Sequence, residues 1–148
     1  MFRGTKDVKV DEKGRLKLPQ AIKERLDTEY GAKSTYFVTS ITGDVALIYP
    51  LTEWERIEQI LSQAPQFNQL KKKFLFNANQ WGAEATLDEQ GRLLIPSKLR
   101  EQAGIKGDVK LNWETNHIEV LSGVRYAEEA ERNRMASQDF ADLEKLGV

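Results

Sequence analysis

The chain spells one ten-residue phrase twice. Val10-Asp11-Glu12-Lys13-Gly14-Arg15-Leu16-Lys17-Leu18-Pro19 returns 77 residues later as Leu87-Asp88-Glu89-Gln90-Gly91-Arg92-Leu93-Leu94-Ile95-Pro96. Asp, Glu, Gly, Arg, Leu and Pro are identical in the two copies, and the apolar positions exchange only one aliphatic side chain for another. The match runs on, with Ile22-Lys23-Glu24 aligning to Leu99-Arg100-Glu101. A repeat of this length fixes the architecture before any other signal is weighed. In a chain of 148 residues it means one domain, or two small halves sharing a core.

Each copy reads physically as strand–turn–strand. Val8 and Val10 alternate with Lys9, and Leu16 and Leu18 alternate with Arg15 and Lys17. Alternation with a period of two on both sides of a turn signal predicts a β-hairpin with one buried face. Asp11 suits the first turn position because its carboxylate can accept from the backbone two residues on, and Gly14 suits the left-handed residue that closes such a turn. Asp88 and Gly91 play the same loop-shaping parts in the second copy, where Ala85, Leu87, Leu93 and Ile95 point inward. The tips then carry Lys13 and Arg15, and Gln90 and Arg92, toward solvent.

Pro19 and Pro96 end the strands and are placed to open helices at the first turn. Ile22 with Leu26, and Leu99 with Ala103, supply the buried stripes, and Gly104 a C-terminal stop. Strands follow at 36–38 and 46–49 around Thr42-Gly43-Asp44, and at 109–111 and 118–120 around Glu114-Thr115-Asn116. Between the halves, Thr52 and Glu55 make a capping-box pattern ahead of a helix over 53–63. Phe67, Leu70 and Phe74 mark a second helix bearing Lys71-Lys72-Lys73, a run that reads as a solvated face. Residues 125–145 predict one exposed helix with a thin apolar stripe, suited to assembly or partner binding. The divisions are a first repeat at 1–51, a helical connector at 52–80, a second repeat at 81–122 and a charged tail at 123–148.

Composition narrows the function classes. There is no cysteine, so disulfides, thiolate catalysis and Cys-based zinc sites are excluded, and a single His117 leaves little for a histidine acid–base or metal site. No triad, paired-carboxylate or phosphate-loop pattern stands out, which argues against an enzyme and against a cofactor or metal. The opening residues lack the apolar core of a signal peptide and no run reaches the length of a membrane span, so a cytoplasmic protein is expected. The formal net charge is −1. Its distribution is uneven: residues 1–26 hold eight bases against four acids, whereas 27–69 hold six acids against two bases. Such polarity fits a protein with one basic working face.

The doubled Asp-x-x-x-Arg motif, the opening Met1-Phe2-Arg3-Gly4 and the connecting Tyr49-Pro50-Leu51-x-Glu53-Trp54-Glu55 together resemble the MraZ family. So does Gly82-Ala83-Glu84-x-x-Leu87-Asp88-x-Gln90-Gly91-Arg92. These are bacterial transcriptional regulators related to the AbrB and SpoVT DNA-binding proteins. The resemblance covers roughly residues 1–122. It implies an α+β chain whose two tandem AbrB-like repeats form one swapped-hairpin, double-psi-like β-barrel, with helices between and after them. It also implies a ring of identical subunits, found with the nucleoid, that binds short direct repeats in double-stranded DNA upstream of the division and cell-wall gene cluster. Carried onto this sequence, the expected DNA contacts are Arg15 and Lys13, then Arg92 and Gln90, with Arg3 near the same face. Arg can bond guanine O6 and N7 with its planar fork, while Lys13 is a point charge suited to phosphate. For Arg15 the competing role is an internal partner of Asp11 that fixes the turn, and for Arg92 a structural or subunit contact weighs equally. The competing function is an antitoxin-like interaction module of the same fold, working through a protein partner.

Overall fold

The computed structural model describes residues 2–148; Met1, the first residue of the opening motif, lies outside them. Among the described residues, eight strands form one antiparallel, nearly closed barrel-like sheet, and six helices surround it. In the first half the elements are β1 (Lys6–Val10), β2 (Arg15–Lys17), α1 (Gln20–Tyr30), β3 (Thr35–Thr39) and β4 (Ala46–Pro50). The connector is α2 (Leu51–Ser62) and α3 (Gln69–Trp81). The second half repeats the order as β5 (Ala83–Thr86), β6 (Arg92–Leu94), α4 (Ser97–Ala103), β7 (Gly107–Trp113) and β8 (Ile118–Ser122). The tail holds α5 (Gly123–Arg132) and α6 (Ser137–Lys145).

The strand order, β5-β3-β4-β8-β7-β1-β2-β6, shows how the repeats combine. The arms of each predicted hairpin hardly pair with one another. β1 meets β2 only at Val10 and Leu16, and no ladder joins β5 to β6 among the described residues. Each arm pairs instead with the other half. β1 runs along β7 with Val8 opposite Val109, and β5 runs along β3 with Ala85 opposite Tyr36. β2 pairs β6, and β4 pairs β8. The two copies are therefore interdigitated about a pseudo-twofold axis that passes near the Leu16–Leu93 pair. The end strands β5 and β6 are consecutive in the chain, and the turn between them nearly closes the sheet.

The alternation predicts the lining correctly. Leu16, Leu93, Ile95, Leu111, Val38 and Val120 have no or almost no exposed surface, and Ile22, Leu26, Leu99 and Ala103 cap the barrel from α1 and α4. Burying each such side chain contributes about 1.5–3 kcal/mol. A second cluster lies outside the sheet, where Trp54 packs on Phe37, Tyr49 and Phe74 and fastens α2 and α3 to β3 and β4.

Four local expectations are corrected. Pro19 and Pro96 are N-caps with extended ψ (144° and 137°) rather than first helical residues, and their carbonyls accept the first helical N–H bonds. The capping box at Thr52 does not form, because α2 begins directly after Pro50 and Thr52 is already inside its first turn. Phe67 precedes α3, whose N-cap is Asn68, the side chain accepting from Lys71 N at 3.0 Å. The single tail helix is two helices, parted at 133–136 where Asn133 Nδ2 folds back to donate to the Glu129 carbonyl at 2.8 Å.

Candidate nucleic-acid interface

The two turns are built alike. In the first, Asp11 Oδ1 accepts from the backbone N–H groups of Lys13 (3.0 Å) and Arg15 (2.9 Å), while Oδ2 accepts from Arg15 Nε at 2.8 Å. In the second, Asp88 Oδ1 accepts from Gln90 N (2.9 Å) and Arg92 N (2.8 Å), and Oδ2 from Arg92 Nε at 2.6 Å. The backbone closes identically, with Gly14 N donating to Asp11 O and Gly91 N to Asp88 O. Gly14 (φ 85°) and Gly91 (φ 76°) hold the left-handed conformation that lets each chain turn back. Asp therefore shapes the loop and grips the arginine at once.

The carboxylates respond to that environment. The Arg15 backbone N–H, then the Arg15 side chain, hold the Asp11 carboxyl below its ordinary value. For Asp88, partial burial pushes upward, but the N–H and guanidinium of Arg92 and the N–H of Gln90 outweigh it and the net displacement is again downward. Both carboxyls are therefore ionised at neutral pH.

Neither arginine is sealed in the barrel, and neither swings free. The Arg15 side chain keeps 31% of its surface and that of Arg92 30%, enough to leave the guanidinium tips reachable. Their hydrogen bonds to side chains run through Nε, so the terminal Nη groups face outward unpaired among the described residues. Register places Arg15 opposite Leu94 and Lys17 opposite Arg92. Since antiparallel partners share a face, Arg15, Lys17, Arg92 and Leu94 form one outer surface over the buried Leu16–Leu93 pair. The two arginines are two residues along and one strand across, about 8 Å apart at the backbone. Lys13 and Gln90 are exposed at the tips.

The halves differ in charge. Residues 11–17 hold Lys13, Arg15 and Lys17 against Asp11 and Glu12, a net of +1. Residues 88–94 hold only Arg92 against Asp88 and Glu89, a net of −1. Arg3 is also exposed, but the fold separates it from this surface. It precedes the far end of β1, where Phe2 packs on Trp113 at 4.7 Å beside the β7–β8 turn, and β1 itself spans roughly 13 Å from there toward Asp11.

Two residues that turn-centred reasoning passes over hold the turns in place. Arg100 of α4 lies over Gly14, donating from Nε to the Ile95 carbonyl at 2.9 Å, and a Cβ at Gly14 would run into its guanidinium. Lys23 of α1 lies over Gly91 and is fixed by Asp27 at 2.7 Å. Each turn is thus braced by a cation from the opposite half. Reciprocal backbone bonds complete the cross-tie, Ile95 N to Gly14 O (3.0 Å) and Leu18 N to Gly91 O (2.8 Å). The signal was the alignment of Lys23 with Arg100 at the repeat offset of 77. His117 takes no part: it is half-buried and stacked on Tyr49 at 4.6 Å, and burial lowers its pKa. No group of three or more His, Cys, Asp or Glu side chains suited to a metal ion occurs among the described residues. No helix among them is long and apolar enough to cross a membrane.

A family model described as "MraZ protein, putative antitoxin-like" matches residues 1–77 and 82–145. Among curated relatives, the transcriptional regulator MraZ of Acidobacterium capsulatum is 45% identical over 148 residues, covering both chains completely. That of Koribacter versatilis is 36% identical, again over the whole of both chains. The Shewanella violacea protein of the same name is 31% identical over 99% of this chain and 97% of its own.

Proposed function

The chain belongs to the MraZ family, and on that footing we propose that it is a non-enzymatic, sequence-specific DNA-binding transcriptional regulator. Its target is double-stranded DNA carrying short direct repeats upstream of the division and cell-wall gene cluster, bound by a ring-like homo-oligomer in the cytoplasm and at the nucleoid. The observation that carries this reading is the shared outer face of β2 and β6, on which two Asp-held arginines keep their Nη groups outward. Locking Nε to a carboxylate removes rotamer freedom before binding and leaves the end-on pair of Nη donors for guanine O6 and N7. Lys13 and Lys17 supply phosphate contacts. The charge difference between the turns supports a stronger role for Arg15 and a lesser one for Arg92 and Gln90.

One chain offers too few such groups for tight binding. Identical subunits related by rotation present the same turn repeatedly, and repeats in the DNA raise the effective concentration for each further contact. The test is Arg15→Ala, measured at fixed salt on duplexes selected from the source genome by the wild-type protein. Loss of a bidentate base contact removes about 1–3 kcal/mol per occupied subunit, a fall of roughly tenfold or more. Circular dichroism and oligomer size stay as in wild type. Undiminished affinity of this variant for the selected duplexes would falsify the reading.

A further inference from the structure

The tail helix α6 has an apolar stripe with nothing against it. Phe140 is 59% exposed and Leu146, just past the helix end, 78%; Leu143 lies between them at the helical spacing. Its side-chain hydrogen bonds are local: Asp139 accepts from Ala136 N and Asp142 from Gln138 Nε2. Asp139, Asp142 and Glu144 against Lys145 give residues 137–145 a net charge of −2. On the connector, α3 shows the converse surface. Leu70 (76%) and Phe76 (66%) stand exposed with Lys72 and Lys73 between them, and the helix carries Lys71, Lys72 and Lys73 with no acid. Phe67, 86% exposed, extends the patch.

Large apolar side chains exposed this far on two separate helices mark surfaces that await a partner. Within one copy neither is covered. The surfaces are complementary: α6 sets Phe140, Leu143 and Leu146 three residues apart beside acids, whereas α3 places Leu70 and Phe76 on one broad side of the helix with Lys72 and Lys73 among them. We propose that α6 of one copy docks on the outer face of α3 of the next, a head-to-tail contact that repeats around the assembly. It rests on the self-association named under the proposed function and supplies its interface. The acidity of α6 argues against an anionic lipid surface as its occupant. The root of the arm is firm: Arg125 at the start of α5 pairs with Asp44, Glu128 and Glu129, so α6 leaves the barrel from an anchored base. A contact in which α6 meets α3 joins unlike surfaces, so every copy uses both and the chain of contacts closes into a ring if the rotation permits. Opposite charges set which helices meet and in what sense, while the apolar stripes supply the burial.

The experiment uses the full chain in sedimentation velocity over a range of concentrations. One variant carries Asp142→Lys and Glu144→Lys, the other Lys72→Glu and Lys73→Glu; all four side chains are exposed, so the fold tolerates them. Like charges facing across the contact weaken association of each variant alone by roughly tenfold or more. Mixed in equal amounts, the two restore assemblies of wild-type size, because every reversed α6 then meets a reversed α3 and every native α6 a native α3. A wild-type chain that stays monomeric throughout overturns both the self-association and this interface. Wild-type assembly with variants that assemble equally well, or that fail to complement on mixing, overturns the interface alone. Arg15→Ala, which leaves these helices untouched, keeps wild-type size under the proposal, separating a failure of assembly from a failure of DNA reading.

Discussion

Alanine at Gly14 and alanine at Gly91 make the same backbone change in two matched places, and the structure expects unequal costs. Both glycines have positive φ, 85° and 76°, so either substitution forces a side chain into a left-handed conformation at about 1–2 kcal/mol. At Gly91 the new Cβ would lie 3.1 Å from Lys23 Cδ, part of a flexible chain that can give way. At Gly14 the Cβ would strike the Arg100 guanidinium, which must leave and break its bond to the Ile95 carbonyl. Losing that partly buried bond costs about 1 kcal/mol more, and the disturbed packing a similar amount. Gly91→Ala should therefore cost about 1–2 kcal/mol and Gly14→Ala about 3–4 kcal/mol. Placing Gly14→Ala in an Arg100→Ala background removes the collision, and the cost should drop to that of Gly91→Ala. Urea unfolding measures the wild type and the four variants, Arg100→Ala alone included, at one protein concentration because self-association shifts apparent stability. Equal losses at the two glycines, or a coupling between Gly14 and Arg100 below about 0.5 kcal/mol, refute the cross-brace.

Two further outcomes follow from ionisation. The Asp11 and Asp88 carboxyls titrate below their ordinary value in the folded state, so their turn-stabilising contribution is present above an unfolded pKa of about 3.9 and is lost as pH falls through the folded values. Amide exchange at Lys13, Arg15, Gln90 and Arg92 should accelerate in acid below about pH 4 relative to its intrinsic rate, and unchanged protection there contradicts the Asp-centred turns. At the alkaline end, burial raises Tyr30 to about 12, with help from the Glu53 and Glu29 charges, and raises Tyr49 to about 12, with help from Glu119 and Glu114. Both are raised above an unfolded value near 10, so the stability they contribute holds below about pH 10 and declines as pH climbs toward 12. Burial pushes Tyr36 up as well, so phenolate absorbance should show these three titrating late and unfolding setting in over that window; ionisation of all four tyrosines near 10 without unfolding would reject their placement.

Period-two alternation located the barrel strands because a sheet with one wet face imposes that period on its residues. It could not say which strand lies beside which. Val8 opposite a strand of its own half and Val8 opposite Val109 bury the same valine, so the swapped pairing was legible only through family resemblance. Local signals erred where tertiary structure moved a boundary: α2 starts at Leu51, directly after the N-cap Pro50 and one residue before Thr52, leaving the hydroxyl without a capping position. At the candidate site, the doubled Asp and Arg identified the turns, and spacing alone allowed either a free arginine or one held by Asp. The structure holds both by Nε and still leaves the Nη ends outward. Arg3 entered through the resemblance of the opening residues, and the structure places it before the far end of β1, an extended strand that separates it from the turn at Asp11. Arg100 lies 86 residues beyond Gly14, and only the folded chain brings them together.

Cross-pairing explains which parts of the repeat stayed identical and which did not. Gly14 O accepts from Ile95 N, and Gly91 O from Leu18 N, so each turn is a supporting piece of the other half's strand exit. A change in Asp11, Gly14 or Arg15 alters a loop on which β6 depends, and a change in Asp88, Gly91 or Arg92 disturbs the end of β2 in the same way. Leu16 and Leu93 meet across the pseudo-twofold with no exposed surface, which ties their sizes to one another. The tips carry no such obligation: Lys13 and Gln90 give only their backbone N–H to the motif, and their side chains are exposed. Duplication within one chain therefore lets the two tips separate in charge while the frame beneath them remains the same. A dimer of single repeats could not do this, since both turns would share one sequence. That freedom is the physical basis for the proposed division of roles, a larger share at Arg15 with Lys13 and Lys17 around it and a lesser one at Arg92 beside neutral Gln90.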